Sequence, residues 1–155
     1  MAQNTFLRAG DTISGQEARA IATIDGQVVD LFFAKSVEAI ATKRKSEVRT
    51  LGRRGTQSKT VGWSGTGTMN MYYVSSKMRE LMMRYIKSGK DVYFTLVIVN
   101  NDPTSSIGTQ TVALYNCNLD ATTLAKFDTE AETLDESATF TFDDAEMLTK
   151  FVSPS

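Results

Sequence analysis

Few residues of this chain have a type and spacing suited to catalysis. The 155-residue sequence contains no histidine, the commonest general base and metal ligand near neutral pH. This absence removes the serine and cysteine triads that depend on imidazole, and most zinc sites. Carboxylate-only and lysine-based chemistry remain open. The sequence therefore predicts a protein that is not an enzyme, and we expect no cofactor and no metal site.

The acidic residues and the single cysteine are the next candidates for chemistry. Asp135-Glu136, or Asp143-Asp144 with Glu146, could supply the carboxylate pair of a glycosidase. Adjacent residues of a strand point to opposite faces, so a solvated acidic face is the better interpretation. Weak cation binding there stays open, although no EF-hand spacing is present. Cys117 lacks an imidazole to activate it, which predicts a buried structural thiol.

A glycine-rich segment, residues 62–67, superficially resembles a phosphate-binding loop. A dinucleotide fingerprint requires a strand before the glycines and a helix that opens at the last one. Here the glycines lie inside strand-like sequence, and no Gly-Lys-Ser/Thr ending follows. Glycines in a strand usually mark a bulge, a bend or the close approach of another backbone.

Charge is distributed unevenly in a chain whose net charge is only −1. Residues 43–59 carry seven basic residues and one acid, whereas residues 120–146 carry nine acids and one base. A chain with two such poles could dock on itself head to tail or bind a polyanion. Because residues 52–59 contain no apolar side chain, we predict an exposed basic loop at about 43–59. That loop also lacks an aromatic residue on which a base could stack.

Strand patterns dominate the elements that must position these residues. Residues 16–33 read as a hairpin turning at Asp25-Gly26, and residues 91–99 as a buried strand. Residues 109–119 and 133–142 read as further strands. Residues 37–51 have strand character around a charged middle, and a strand resumes from Val61. We predict a single domain over 1–155, mainly β, built as a sandwich or barrel of about seven or eight strands. An N-terminal arm is expected at about 1–13.

One helix is predicted to flank the strands. Its apolar residues recur at helical spacing, with Ser75 or Ser76 available to cap its start and Gly89 placed to end it. The residues of this predicted face are Met78, Leu81, Met82, Tyr85 and Ile86.

The expected cellular compartment follows from the absence of targeting and membrane-spanning segments and from the single cysteine. The N-terminus lacks the order of a signal peptide, and no apolar run approaches the roughly 20 residues needed to span a bilayer. A single cysteine fits a reducing cytosol. We therefore expect no membrane partner.

The order of residues along nearly the whole chain resembles the tail tube proteins of contractile-tailed phages, most closely those of PBSX-like defective prophages of Bacillus. No single motif is diagnostic, because the matching segments are structural. They are residues 60–72 with the helix that follows, 85–89, 93–94, 101–103, 108–112, 116–120 and 140–142.

The resemblance implies a tail-tube-like β-sandwich or barrel with one flanking α-helix. It further implies hexameric rings that stack into a conduit for DNA, with tail sheath and tube initiator proteins as partners. The protein would assemble in the host cytoplasm and then form part of a virion tail. Two alternatives stay open: a type VI secretion tube-like protein, and a small nucleic-acid-binding β module that uses the basic loop.

Assembly would involve the arm, the basic loop and the acidic stretch. The acidic residues would either face the lumen, where they repel DNA, or receive the basic loop of the next ring; they are Asp128, Glu130, Glu132, Asp135 and Glu136. The predicted contacts between subunits are Phe6, Leu7, Arg8, Arg44, Lys45, Arg49, Arg53, Arg54 and Lys59.

Overall fold

The first hairpin forms where the sequence predicted it. In the computed structural model, which describes residues 7–31 and 33–152, β1 (Ala18–Ile24) pairs with β2 (Gln27–Asp30). Asp25 and Gly26 connect them with φ angles of 52° and 77°. Both angles lie in the left-handed region that a type I′ turn requires, which explains the Asp-Gly pair.

Six further strands and one helix complete the described chain. β1 continues the sheet through antiparallel pairing with β5, and every strand pair is antiparallel. The remaining elements are β3 (Ala34–Val48), β4 (Gln57–Tyr72), α1 (Lys77–Ser88), β5 (Phe94–Asn101), β6 (Thr109–Thr122), β7 (Asp135–Phe142) and β8 (Asp144–Thr149). No helix in the described part of the chain is long and apolar enough to cross a membrane.

The strands form two sheets that share β6. One sheet has the order β2-β1-β5-β6-β8, and the other has the order β6-β7-β4-β3. β6 changes sheets between Cys117, which still pairs with β5, and Asn118, which pairs with β7. Asn116, with a φ of 55°, lies in the irregular part of the pairing with β5 just before this change. On the opposite side, the chain passes directly from β2 into β3. The predicted mainly β fold with one helix is confirmed.

The core lies between the inward faces of the two sheets. Phe140 is fully buried, and its ring centroid lies 6.4 Å from those of Phe94 and Phe142. Met69 and Met71 of β4 alternate into the same core. Farther along β4, Gly65 lies opposite Phe142, whose ring occupies the space a Cβ would take. The glycine-rich segment therefore admits aromatic side chains, not another backbone.

Helix α1 covers the core with only part of its predicted apolar face. Met78 and Leu81 are buried, whereas Tyr85 and Ile86 are each about half exposed. The helix ends at Gly89, which has a φ of 70° and donates its amide proton to the Tyr85 carbonyl at 2.7 Å. The prediction of the helix is confirmed, but the C-terminal half of its apolar face is unpacked.

The predicted loop at about 43–59 is wrong. β3 and β4 stay paired as far as Val48 and Gln57, so only residues 49–56 connect them. Backbone hydrogen bonds maintain this pairing, and they do not require apolar side chains. Residues Asp144–Thr149 form one more strand, β8, which pairs with β6.

Candidate assembly surfaces

The distal part of the β3–β4 hairpin projects from the sandwich. Every residue from 40 to 61 is exposed, and β7 supports β4 only from Gly65 onward. Residues 40–61 are therefore a two-stranded ribbon, here called the basic ribbon. An isolated two-stranded hairpin is marginally stable in water. A ribbon of this length is typical of a segment that packs against another chain.

The cations of the basic ribbon have few partners. Arg49 lies 3.9 Å from Glu47, while the Arg44 guanidinium lies across Gly62, where a Cβ would be only 2.5 Å from its nitrogen. Across residues 7–31 and 33–152, no ion pair involves Lys43, Arg44, Lys45, Arg53, Arg54 or Lys59. The ribbon therefore presents uncompensated positive charge beside exposed apolar side chains: Ile40, Val48, Leu51 and Val61.

The predicted N-terminal arm is anchored over much of its length. Phe6 lies outside the described residues, and Leu7 is exposed. From Ala9 to Asp11 the chain forms a short 3₁₀ helix, with Asp11 buried. Ser106 donates its hydroxyl proton to Asp11 Oδ1 at 2.6 Å and its amide proton to the Gly10 carbonyl. The arm prediction to residue 13 is therefore wrong beyond Arg8, whose amide also bonds Asp11.

A second buried carboxylate, Asp102, holds the segment that follows. Its oxygens accept hydrogen bonds from the Ser14 amide at 2.9 Å and from the Thr104 hydroxyl at 2.6 Å. Hydrogen bonds lower the pKa of Asp102, and the bond from the Thr104 side chain has a larger effect than the bond from the Ser14 amide. Asp102 therefore braces the N-terminal segment against the β5–β6 connection.

The predicted acidic face is split by the structure. Asp128, Glu130 and Glu132 are exposed in the β6–β7 connection. Asp135 instead pairs with Lys35 at 2.9 Å, and Glu136 is buried. These two residues therefore do not form a free docking or lumen face. The reason is strand alternation, since β7 already points Glu136 toward the interior.

Glu136 forms a buried ion pair with Arg79 of α1. Their side chains are 1 % and 14 % exposed, and the guanidinium also donates to the Ser75 carbonyl. The same guanidinium lies 4.3 Å from the ring centroid of Tyr73, in cation–π geometry. This network ties the helix to β4 and β7. The sequence gives no local signal for this pair, because Arg79 and Glu136 lie 57 residues apart.

The remaining chemistry candidates have structural partners. Cys117 is buried, and desolvation raises the pKa of its thiol to about 12. Asn116 donates to Asp143 at 2.8 Å, and the Tyr115 hydroxyl donates to Glu146 at 3.0 Å. No cluster of acidic or cysteine side chains within the described part of the chain could hold a metal ion.

A cleft opens between the C-terminal half of α1 and β6, here called the α1–β6 cleft. Its volume is about 240 Å³. Its walls combine apolar side chains with two aspartates and one asparagine, and polar atoms form the larger part of its surface. The lining residues are Leu81, Met82, Tyr85, Asp91, Val92, Asn118, Leu119 and Asp120.

Comparison with known proteins places the chain in a family. The sequence model of a family described as phage tail tube protein matches residues 5–149. The PBSX phage-like element protein XkdM of Bacillus subtilis (strain 168) is 44% identical over 144 residues, covering 93% of this chain and 95% of that protein.

Solved structures share the fold at low sequence identity. A chain from the tube-terminating cap of the anti-feeding prophage has a TM-score of 0.68 at 14% identity, covering 95% of this chain and 96% of that one. A chain from the extended sheath–tube complex of the extracellular contractile injection system PVC has a TM-score of 0.62 at 15% identity, covering 88% and 90%. With the family match and the XkdM likeness, the chain belongs to the phage tail tube protein family, as a structural subunit and not an enzyme.

Proposed function

We propose that this protein assembles into six-membered rings that stack into a hollow tube through which DNA passes. The observation that carries this proposal is the basic ribbon. It projects beyond the support of β7, carries cations without ion-pair partners and exposes apolar side chains such as Leu51. In an isolated subunit these side chains make no stabilising contact within the described chain. Against another copy, burial of one leucine is worth about 1.5–3 kcal/mol.

Open strand edges supply a second route to association. In the described chain, β2 and β3 end their sheets with one partner each, and β8 pairs only with β6. Such edges are a liability in a monomer and a pairing template in an oligomer. Contacts between unlike surfaces close into rings when the rotation closes, and propagate when it does not. A tube requires both kinds of contact.

The proposed partners follow from the family. We infer that a contractile sheath surrounds the tube and that an initiator protein starts its growth. A relative named for a phage-like element and a fold shared with a sheath–tube complex support this inference. We also infer assembly in the host cytoplasm, followed by incorporation into the tail of a phage-like particle.

Three exposed acids suit the inner wall of such a tube. Asp128, Glu130 and Glu132 lie together in the β6–β7 connection and have no ion-pair partner within the described ranges. Negative charge on the lumen would repel the DNA backbone and keep it from adhering. We propose these three residues, without Asp135 and Glu136, as the lumen candidates.

A nucleic-acid-binding module is the alternative function. The unpaired cations of the basic ribbon favour it, since phosphate contacts alone give salt-dependent binding. A tube of the type VI secretion kind is the other alternative, because the shared fold includes contractile injection system tubes. In that alternative the subunit would assemble in the same way, and only the cargo and the partner proteins of the tube would differ.

Electron microscopy of the purified protein over a range of concentrations tests the proposal. Rings or tubes of uniform width are expected, with DNA binding weak even in low salt. Monomers that never assemble at any concentration, yet shift DNA in low salt and release it as salt rises, would favour the nucleic-acid module. Counting subunits in ring end views then tests the sixfold symmetry.

A further inference from the structure

We propose that the tip of the basic ribbon, residues 49–54, docks into the α1–β6 cleft of a neighbouring copy. Leu51 would enter the cleft, and the arginines beside it would face Asp91 and Asp120. This inference rests on the proposed self-assembly and names the surface that receives the ribbon. The separate acidic stretch of the β6–β7 connection is then left for another role.

The tip is built to present one apolar side chain among cations. Leu51 is fully exposed and is followed by Gly52, whose φ of 79° turns the chain. The Arg53 amide bonds back to the Thr50 carbonyl at 3.4 Å, which closes the turn. Arg49, Arg53 and Arg54 surround the leucine in sequence.

The α1–β6 cleft has complementary shape and polarity. Its walls include Leu81, Val92 and Leu119, and Tyr85 of the unpacked half of α1 lies at its border. Its volume of about 240 Å³ is below the roughly 300–1,000 Å³ of small-molecule sites. A space of this size suits one or two side chains better than a cofactor.

The charges at the rim are also uncompensated. Within residues 7–31 and 33–152, Asp91 accepts only a long bond from Asn118 at 3.4 Å, and Asp120 has no ion-pair or side-chain hydrogen-bond partner. Two carboxylates without ion-pair partners, beside the apolar side chains of the cleft, match an apolar side chain flanked by the guanidinium groups of Arg53 and Arg54. Arg–carboxylate pairs are among the strong charge-assisted contacts.

The other large clefts fit the tip less well. The cleft between β1, β2 and β3 has a volume of about 690 Å³, but its one carboxylate, Asp30, is already paired with Arg19 at 3.2 Å, and Lys35 adds a further cation to its lining. The cleft beside Trp63 contains a single carboxylate, Asp143, which already accepts from Asn116. Because the tip and the α1–β6 cleft are different surfaces of the subunit, their contact is head to tail. Such a contact closes into a ring if the rotation between copies closes, and it propagates if the rotation does not close.

A charge-swap experiment on assembling protein tests this contact. Arg53→Glu/Arg54→Glu is expected to raise the protein concentration needed for tube assembly at least roughly tenfold, because each introduced glutamate would repel an aspartate of the cleft. Adding Asp91→Arg/Asp120→Arg to the same chain should restore assembly. The matched control is Lys45→Glu/Lys59→Glu, which makes the same charge change on the ribbon shaft and should not be rescued by the aspartate reversals.

Disulfide trapping gives a second readout that does not depend on reversed charges. In assembled tubes, Leu51→Cys with Asp120→Cys should form disulfides between subunits, whereas Leu51→Cys with Ser36→Cys should not. Native Cys117 is buried and should stay reduced. The substituted sites are all exposed, so urea unfolding of each variant should match the wild type.

The outcomes separate this inference from the proposed function. Tubes that form normally after Arg53→Glu/Arg54→Glu would overturn the docking site and leave the tube subunit intact. Tubes of the Leu51→Cys/Asp120→Cys variant that form no disulfide between subunits would do the same. A wild-type protein that forms neither rings nor tubes would count against the proposed function itself. If Leu51→Cys formed disulfides equally well with Ser36→Cys, the tip would occupy the cleft between β1, β2 and β3, and the proposed docking site would be overturned.

Discussion

The ring of Phe140 lies against the backbone of Gly67 on the neighbouring strand. The two residues are directly opposed in the β4–β7 register, and the ring occupies the position that a Cβ at residue 67 would need. Phe140 is fully buried and packs near Phe94, so its ring has little freedom to move. Because Gly67 has no Cβ, the large side chain of Phe140 fits into the space between the sheets. The packing of the core therefore depends on glycine at this position.

Substitution of this glycine should therefore destabilise the fold. Gly67→Ala is expected to lower the free energy of unfolding by about 1–3 kcal/mol, the usual cost of overpacking a core. Gly62→Ala is the matched control, because its Cβ would meet only the Arg44 guanidinium, which is exposed and can swing aside. Urea unfolding of both variants measures the difference. Equal losses at the two positions would contradict this explanation.

Elements set by local sequence were predicted correctly. The Asp25-Gly26 turn requires left-handed backbone at both central residues, and the sequence supplies residues that tolerate it. Helix α1 has an apolar spacing and a terminal glycine that act within a few residues. The buried thiol of Cys117 was predicted from the absence of an activating imidazole, and the structure buries it.

Features that depend on distant pairing were predicted only in part. The strand character of residues 37–51 was recognised, but the pairing of Lys45 with Thr60 was not, because both faces of the ribbon are exposed there and only backbone bonds define it. Glu136 looked like a surface acid, because its partner Arg79 lies far away in sequence. The α1–β6 cleft required the placement of a helix against a strand, which periodicity alone does not give.

The buried pair of Arg79 and Glu136 should be costly to break from one side. Glu136→Leu leaves a guanidinium with little exposure and no carboxylate, so we expect a loss of about 3–5 kcal/mol. The double variant Arg79→Met/Glu136→Leu removes both charges and should recover part of this loss. Urea unfolding of the single and double variants provides the measurement.

An exposed ion pair serves as the control for that experiment. Arg19 and Asp30 lie 3.2 Å apart with side chains more than half exposed, so Asp30→Asn should cost less than about 1 kcal/mol. If Glu136→Leu were as mild as Asp30→Asn, the pair would not be the brace between α1 and β7 that its burial indicates.

Acid should loosen the N-terminal segment. The pKa values of Asp11 and Asp102 are lowered in the folded protein, mainly by bonds from Ser106 and Thr104. Folding therefore favours the ionised carboxylates, and their contribution to stability is complete above the unfolded pKa of about 3.9 and is lost as pH falls through the lower folded values. The Ser14 amide should lose protection, relative to an unstructured peptide at the same pH, as the pH drops from about 5 toward 3.

A neutral amide at one of these positions separates ionisation from general acid unfolding. In Asp102→Asn, the Ser14 amide should exchange faster already at neutral pH, with a weaker further dependence on acid. An amide in the β1–β5 pairing, such as that of Ala22, is the internal reference and should remain protected. Unchanged Ser14 protection across the acid range would contradict the role given to Asp102.

The corner of β6 depends on left-handed backbone at Asn116. Its φ of 55° is tolerated by asparagine and glycine, but Asn116→Ala should cost about 1–2 kcal/mol of backbone strain in addition to its lost bond to Asp143. Asn116→Gly loses only that bond and should be milder, while Asp143→Ala reports the bond alone. Urea unfolding that ranks alanine as the worst of the three would confirm the conformational demand. Equal alanine and glycine variants would contradict it, since strain at the sheet-switching corner would then contribute nothing.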